Sequence, residues 1–250
     1  NFPDEVVFGH ALAKVYHTPA PALTGKNLPI DKQRIRETIE KCQTGYITPA
    51  QVQDLLDAAG IPRAVEKVAG TMKEAIDASR ETGFPLVMKV VGPVHKSDVG
   101  GVILNVNNED SIRKNFPKLM AIPEATGVLL QPMLSGTELF VGATHEPKYG
   151  HMVFCGLGGI LIELLKDFSN ALIPVSRTEA ANMIKSLKGY HVFKGIRGKE
   201  GIDEEAFTEI ITRVSALLEA APEIQEMDLN PLLGNLRSVT AVDARIRIEK

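Results

Sequence analysis

The spacing of apolar residues changes repeatedly along the chain, and each change predicts an element. Thr48 suits a helix cap with Pro49 at the first position. Val52, Leu55 and Leu56 then share one face, and Gly60 followed by Pro62 ends the helix. A second helix is predicted from Thr71, where Glu74 completes a capping box, to Gly83. The apolar run Pro85 to Val91 predicts a strand, Gly92 to Gly101 a loop, Val102 to Val106 a further strand and Asp110 to Met120 a helix. Val128 to Met133, the alternating Leu139 to Thr144, and Met152 to Cys155 follow as strands. Helical periodicity returns over Thr178 to Leu187 and Glu204 to Ala221, before two short strands, Ile224 to Leu229 and Val239 to Asp243. Ahead of Thr48, Pro19, Pro21 and Pro29 punctuate a segment whose one clear helical stretch is Asp31 to Cys42, so residues 1–47 read as a linker. Two successive clusters of strands and helices, joined near residues 131–135, fit an α+β (α/β) protein of two lobes with a cleft between them.

Composition narrows the function classes. At 250 residues, with 44% hydrophobic and 24% charged residues, the chain is long enough for a sizeable core. A net charge of -3 supplies no basic field for a nucleic-acid backbone, so no nucleic-acid partner is expected. Cys42 and Cys155 are far apart and lack metal-type spacing, which points away from a disulfide framework and towards a reducing cytoplasm. No apolar run has membrane-spanning length, and no membrane partner is expected. The first residue is Asn1 rather than Met, which reads as a processed piece or an excerpt of a longer polypeptide.

The densest chemistry lies in Lys89-Val90-Val91-Gly92-Pro93-Val94-His95-Lys96-Ser97-Asp98-Val99-Gly100-Gly101-Val102. A lysine inside an apolar strand is costly to bury unless its ammonium is paired, and a phosphate is one partner that compensates it; a solvent-facing Lys89 is the alternative. Gly100 and Gly101 permit positive φ and close backbone approach, the geometry of an anion-binding nest or of a plain turn. A neutral imidazole at His95, beside Lys96, suits attack on a γ-phosphoryl group, against the alternative of a loop histidine facing water.

Gly156-Leu157-Gly158-Gly159 follows a strand, but Leu161 stands where a dinucleotide fingerprint needs its third glycine, and no Walker-type lysine loop is present. A cover over phosphates and a tight turn both remain open for these glycines. Glu163 and Asp167 fit either metal ligation or a solvated face. In Glu226-Met227-Asp228-Leu229-Asn230-Pro231-Leu232 alternate polar side chains share one face of a strand, and with Asp243 they offer hard oxygen ligands for Mg²⁺; an Asx-turn at Asn230-Pro231 is the structural alternative.

Together these elements resemble the ATP-grasp domain of ADP-forming acyl-CoA synthetases, in the succinyl-CoA synthetase-like superfamily. The likeness runs from about Thr48 to the C-terminus. It is carried by Gly83-Phe84-Pro85-Leu86-Val87-Met88-Lys89, by His95 to Val102, by Gly156 to Ile160 with Glu163, and by Asp228-Leu229-Asn230-Pro231 followed by Asp243-Ala244-Arg245. Residues before Thr48 resemble the tail of the CoA-ligase part that precedes this domain in fused relatives. The resemblance implies an ATP-grasp fold with the adenine near a hinge at Gln131-Pro132-Met133. It implies phosphate contacts from Lys89 and Lys96, and Mg²⁺ held by Asn230 and Asp243, with Asp228 beside them.

Glu138 falls where the family shows Gly-Gly-Glu, with Thr137 in place of the second glycine. Arg197, in Gly195-Ile196-Arg197-Gly198, matches a Gly-x-Arg-Gly segment that meets phosphate. His95 corresponds to a phosphohistidine, although Gly92-Pro93-Val94-His95 is shorter than the family's phrase. The implied reaction is acyl-CoA + ADP + phosphate ⇌ carboxylic acid + CoA + ATP, with ATP/ADP and Mg²⁺ as cofactors and a CoA-binding domain or alpha-type subunit as partner. A regulatory nucleotide-binding module, as in synthetase-like protein acetyltransferases, is the alternative.

Overall fold

The computed structural model describes residues 3–17, 28–92, 100–159, 167–196, 198 and 200–250. The helices start where small polar side chains can take up free backbone N–H groups. Thr48 opens α3 (Pro49–Ala59) through a full capping box with Gln51, and Gly60, at φ 68°, closes it. Thr71 and Glu74 do the same for α4 (Met72–Thr82). Asn108 caps α5 (Glu109–Met120), Ser176 caps α6 (Arg177–Lys185), and Asp203 caps α7 (Glu204–Ala220).

Two sheets share the strands. The smaller is antiparallel, in the order β2 (Lys67–Ala69), β5 (Gly127–Pro132), β3 (Leu86–Val91), β4 (Val102–Val106). Strand alternation splits its faces. Leu86, Met88 and Val90 of β3 pack with Val128 and Leu130 of β5 against Ile76 of α4 and against Ile112 and Phe116 of α5. Val87, Lys89 and Gln131 occupy the opposite face, which looks onto the larger sheet.

The larger sheet runs β1 (Gly45–Tyr46), β11 (Ala244–Ile248), β9 (Ile224–Gly234), β6 (Thr137–Glu146), β7 (Gly150–Leu157), β8 (Phe168–Leu172), with β10 (Val239–Ala241) also on β9. Its core holds Leu139, Val141, Leu229 and Leu232 against Leu55 of α3, Ile184 of α6, and Phe207, Ile211 and Val214 of α7. The chain crosses between the two lobes at residues 60–66 and again at 133–136, after β5 and before β6.

The linker expectation fails for residues 28–47. α2 (Lys32–Lys41) and β1 belong to the large lobe. Ile35 and Ile39, one turn apart, are completely buried in its core, and burial of such a side chain stabilises by about 1.5–3 kcal/mol. Arg36 adds two 2.7 Å bonds to Glu223 just beyond α7, and these hold the Glu223 carboxyl below its usual pKa. Further upstream, α1 (Glu5–Tyr16), capped by Asp4, has no buried residue.

Four strands lie outside those expected from the sequence: β1, β2, β8 and β11. β9 also runs past its expected end at Leu229 to Gly234. A register shift lets β9 pass Pro231, because Phe140 of β6 faces both Asn230 and Pro231 between the pairs Leu139 with Leu232 and Val141 with Leu229.

A candidate nucleotide cleft between the two sheets

The two inner faces enclose a cleft of about 550 Å³. Seven residues singled out in the sequence line it: Lys89, Gln131, Met133, Glu138, Asp228, Asn230 and Asp243. They arrive on five separate stretches of chain. Lys89 lies mid-β3, only 7% exposed, and its Nζ donates to the Val242 carbonyl at 2.6 Å. The solvent-facing alternative for this lysine is therefore excluded, and its ammonium spans from the small lobe to the large one.

Gln131, 3% exposed, sits at the end of β5, and its Oε1 has no hydrogen-bond partner among the described residues. Met133 follows at the crossing, its N–H donating to Pro85 O at 3.0 Å. A buried amide oxygen without a partner costs free energy in the ligand-free protein. Gln131 itself lines the space between the lobes.

The acidic side of the cleft is built by the hairpin β9–β10–β11. Between β10 and β11 the chain turns back along the irregular part of β9, with Val242 N donating to Pro231 O at 3.1 Å and Asn230 N to Asp243 O at 3.2 Å. That pairing brings Asp243 beside Asn230, and the alternation of β9 puts Asp228 on the same face. Asn230's backbone thus belongs to the sheet, where the sequence had left an Asx-turn open.

Asp228 stands on the cleft floor, opposite Arg245 in the strand register. Burial among the cleft walls raises its pKa, Arg245 lowers it, and the neighbouring Asp243 raises it again. Two carboxylates and an amide oxygen form a hard, oxygen-only donor set. Mg²⁺ uses one or two carboxylates and completes its shell with water and phosphate, so these residues fit that ion. A cation here would offset the mutual repulsion of Asp228 and Asp243. Among the described residues no group of three or more histidine, cysteine or acidic side chains forms a closed metal cage.

Glu138 lies at the start of β6, where Gly158 N donates to its carbonyl at 2.7 Å. Gly159, at φ 63°, folds over it so closely that a Cβ there would collide with the Glu138 carboxylate. These glycines therefore make a close approach to an acidic side chain, which fits their turn role. Gly100, also at positive φ, and Gly101, whose carbonyl accepts from Val90 N at 2.8 Å, close the loop between β3 and β4 and do not line the cleft. His95, Lys96, Glu163 and Arg197 lie outside the described residues.

Asp167 is neither a solvated residue nor a cleft residue. It is 5% exposed, and its two oxygens accept from Lys188 N at 2.9 Å and Gly189 N at 2.7 Å, anchoring the turn after α6. Sequence reasoning missed Glu66, a half-buried carboxylate behind the cleft whose only signal was its place in a short charged connection.

The family profile described as an ATP-grasp domain matches residues 38–248. An ADP-forming acetate–CoA ligase II of Archaeoglobus fulgidus is 43% identical over 195 residues, 77% of this chain and 29% of that protein. The chain thus spans under a third of that relative's length. The beta subunit of ADP-forming acetate–CoA ligase I from Pyrococcus furiosus is 38% identical over 225 residues, which cover 85% of this chain and 97% of the subunit.

Among solved structures, acetyl-coenzyme A synthetase 1 of Ca. Korarchaeum cryptofilum, in complex with coenzyme A and Ca-AMPCP, superposes with a TM-score of 0.81 at 34% identity, over 88% of this chain and 100% of that one. Another structure of it, with Mg-AMPPCP and a phosphohistidine segment pointing towards the nucleotide binding site, gives 0.74 over the same shares. The chain belongs to the ATP-grasp family, in the branch formed by ADP-forming acetate–CoA ligases and their beta subunits.

Proposed function

We propose that this chain binds Mg·ATP or Mg·ADP between its two sheets and exchanges a phosphoryl group with His95, as the nucleotide-binding part of an ADP-forming acyl-CoA synthetase. The observation that carries this reading is the convergence of Lys89, Gln131, Met133, Glu138, Asp228, Asn230 and Asp243 on one cleft from two sheets. In this reading Lys89 contacts phosphate, and Gln131 offers its unpartnered oxygen to an adenine amino group at the hinge, with Met133 beside the ring. Asp228, Asn230 and Asp243 hold Mg²⁺, which supplies charge neutralisation at the phosphates. Glu138 lies at the edge of the cleft under the glycine turn, where it can meet a reacting group. Lys96 and Arg197 serve as further phosphate contacts.

In the transfer itself a ring nitrogen of His95 forms a bond to the γ-phosphorus, the bond from that phosphorus to the bridging oxygen breaks, and ADP leaves. Return of the phosphoryl group to ADP, or its delivery to an acyl group, completes the cycle in either direction. The fit of nucleotide and CoA chemistry to separate domains calls for a CoA-binding domain or alpha-type subunit as partner. The beta-subunit relative and the nucleotide-bound and phosphohistidine-bearing structure of the Korarchaeum enzyme support this. No described helix is long and apolar enough to cross a membrane, and the two cysteines are free and buried; a reducing cytoplasm suits both.

Incubation with Mg²⁺ and ATP labelled at the γ-phosphate, in the presence of a CoA-ligase subunit, should place acid-labile, base-stable label on the wild-type chain and none on His95→Ala. ATP binding without label on the wild-type chain would overturn the carrier role.

A further inference from the structure

Two arginines on one strand, Arg245 and Arg247 of β11, use their guanidinium groups differently. Register places Arg247 opposite Glu226 of β9 and Arg245 opposite Asp228, with all four side chains on one face of the sheet. Arg247 closes on Glu226 at 3.1 Å. Among the described residues the guanidinium of Arg245 makes no hydrogen bond and no ion pair, with Asp228 or with any other side chain. Every other described arginine except the exposed Arg237 is paired with a carboxylate. Arg245 is half-buried, and a guanidinium in such a place with its N–H donors unspent calls for a physical reason.

Its position supplies one. Arg245 lines the cleft together with Lys89, Asp228, Asn230 and Asp243. It also lines a neighbouring cavity of about 270 Å³, walled by Tyr46 and Thr48 of the large lobe and by Val91, Gly92 and Thr126 of the small one. Arg245 is thus common to both spaces, and Gly92 leads into the stretch of sequence that carries His95. The competing role for this cation is to neutralise Asp228 and Asp243. A closed ion pair of the kind Arg247 makes would serve that role better, and the register offers Arg245 the same opportunity. A guanidinium left open can instead present two parallel N–H groups to a phosphate, which an ammonium cannot do.

We propose that Arg245 is a phosphate-binding residue of the cleft, its guanidinium left unpaired by the fold so that two of its N–H groups hold a phosphate of the bound nucleotide while Asp228 serves Mg²⁺. The assignment rests on the reading of the cleft as a nucleotide site. It predicts a loss where the metal alone would predict a gain. Removing a positive charge beside a Mg²⁺ site relieves repulsion of the ion, whereas removing a phosphate donor weakens binding of the nucleotide.

Calorimetric titration of Mg·ATP into the full chain separates these cases across wild type, Arg245→Gln, Arg245→Lys and Arg247→Gln. Arg245→Gln should bind about thirtyfold more weakly. Arg245→Lys, which keeps the charge without the fork, should lie between, about tenfold weaker than wild type. Arg247→Gln removes an equal charge from the same face of the same strand and should stay within about twofold. Arg245 spends no side-chain bond on the described fold, so its variants should melt with wild type; should Arg245→Gln melt early, Arg245→Lys decides alone. Affinity within about twofold of wild type in a well-folded Arg245→Gln, an equal loss in Arg247→Gln, or wild-type affinity in Arg245→Lys each overturns the proposal and leaves the cleft reading standing. A well-folded wild-type chain that binds no Mg·ATP sinks the cleft reading and the proposal with it.

Discussion

Asp167 and Gln131 are both buried polar side chains, 5% and 3% exposed, yet they do opposite things with their oxygens. Asp167 gives both to backbone N–H groups of the large lobe, at 2.9 and 2.7 Å, and closes a turn. Gln131 leaves Oε1 without a partner among the described residues, on the cleft face of the small sheet. Burial of a polar group is therefore a poor marker of a binding site. What sets Gln131 apart from Asp167 is unspent hydrogen-bonding capacity at the cleft; among the described residues Thr82 Oγ1, outside the cleft, is also buried without a partner. Lys89, tied to Val242 across the junction, lies between these extremes.

The largest test of this contrast is on its structural side. Asp167→Asn removes the charge that strengthens two backbone bonds and turns an amide N–H₂ towards one of the donors. It should cost about 2 kcal/mol, a fall in melting temperature of about 4–8 °C for a chain of this size, with affinity for Mg·ATP within about twofold of wild type. A normal melting temperature, or a collapse of nucleotide affinity in a well-folded protein, would break the contrast. On the other side, Gln131→Met replaces the unpartnered amide by a thioether of similar length. It should raise stability by about 1 kcal/mol while weakening nucleotide binding about tenfold. Stability and affinity that fell together would mean that Gln131, like Asp167, is spent on the fold.

The residues that line the cleft were more legible than the start of the large lobe. Lys89 and Asn230 stood out because each interrupts an apolar strand pattern, and a charge or amide in such a pattern has to be compensated by something. Asp243 was legible through its place after a strand and its match to the family motif. Glu66 gave no such signal: in Arg63-Ala64-Val65-Glu66-Lys67 it reads as one of several solvated charges. Only the lie of that segment against β10 turns it inward.

The same limit explains α2. Its Ile35 and Ile39 carry a helical stripe, but a stripe does not state what it packs against, and the prolines upstream favoured a linker reading. β8, with the sequence Phe168-Ser169-Asn170-Ala171-Leu172, contains no β-branched residue and is a strand because β7 pairs with it. The candidate phosphohistidine and its neighbours were legible only as a motif, since chemistry at a loop is specified by residue type and not by periodicity.

His151 sharpens the comparison at its smallest scale. It is 6% exposed, and its Nε2 lies 2.6 Å from Ile224 O, while its ring stands edge-on to His145 at 4.8 Å. One nitrogen is spent on the fold, as in Asp167, but the group can change its charge. Burial lowers its pKa, the Ile224 carbonyl raises it, and His145 lowers it. The folded protein therefore resists protonating a group that the unfolded chain protonates near pH 6.5. Between the lowered folded pKa and that value the unfolded state holds more protons, so stability rises with pH in this window. Acidification below about pH 6.5 should accordingly lower the melting temperature of wild type more than that of His151→Gln. The difference should be smaller than either effect above, because water reaches part of the His145 edge. Parallel melting curves for the two proteins from pH 8 to pH 5 would place His151 with Asp167, as a group whose burial is fully compensated by the fold.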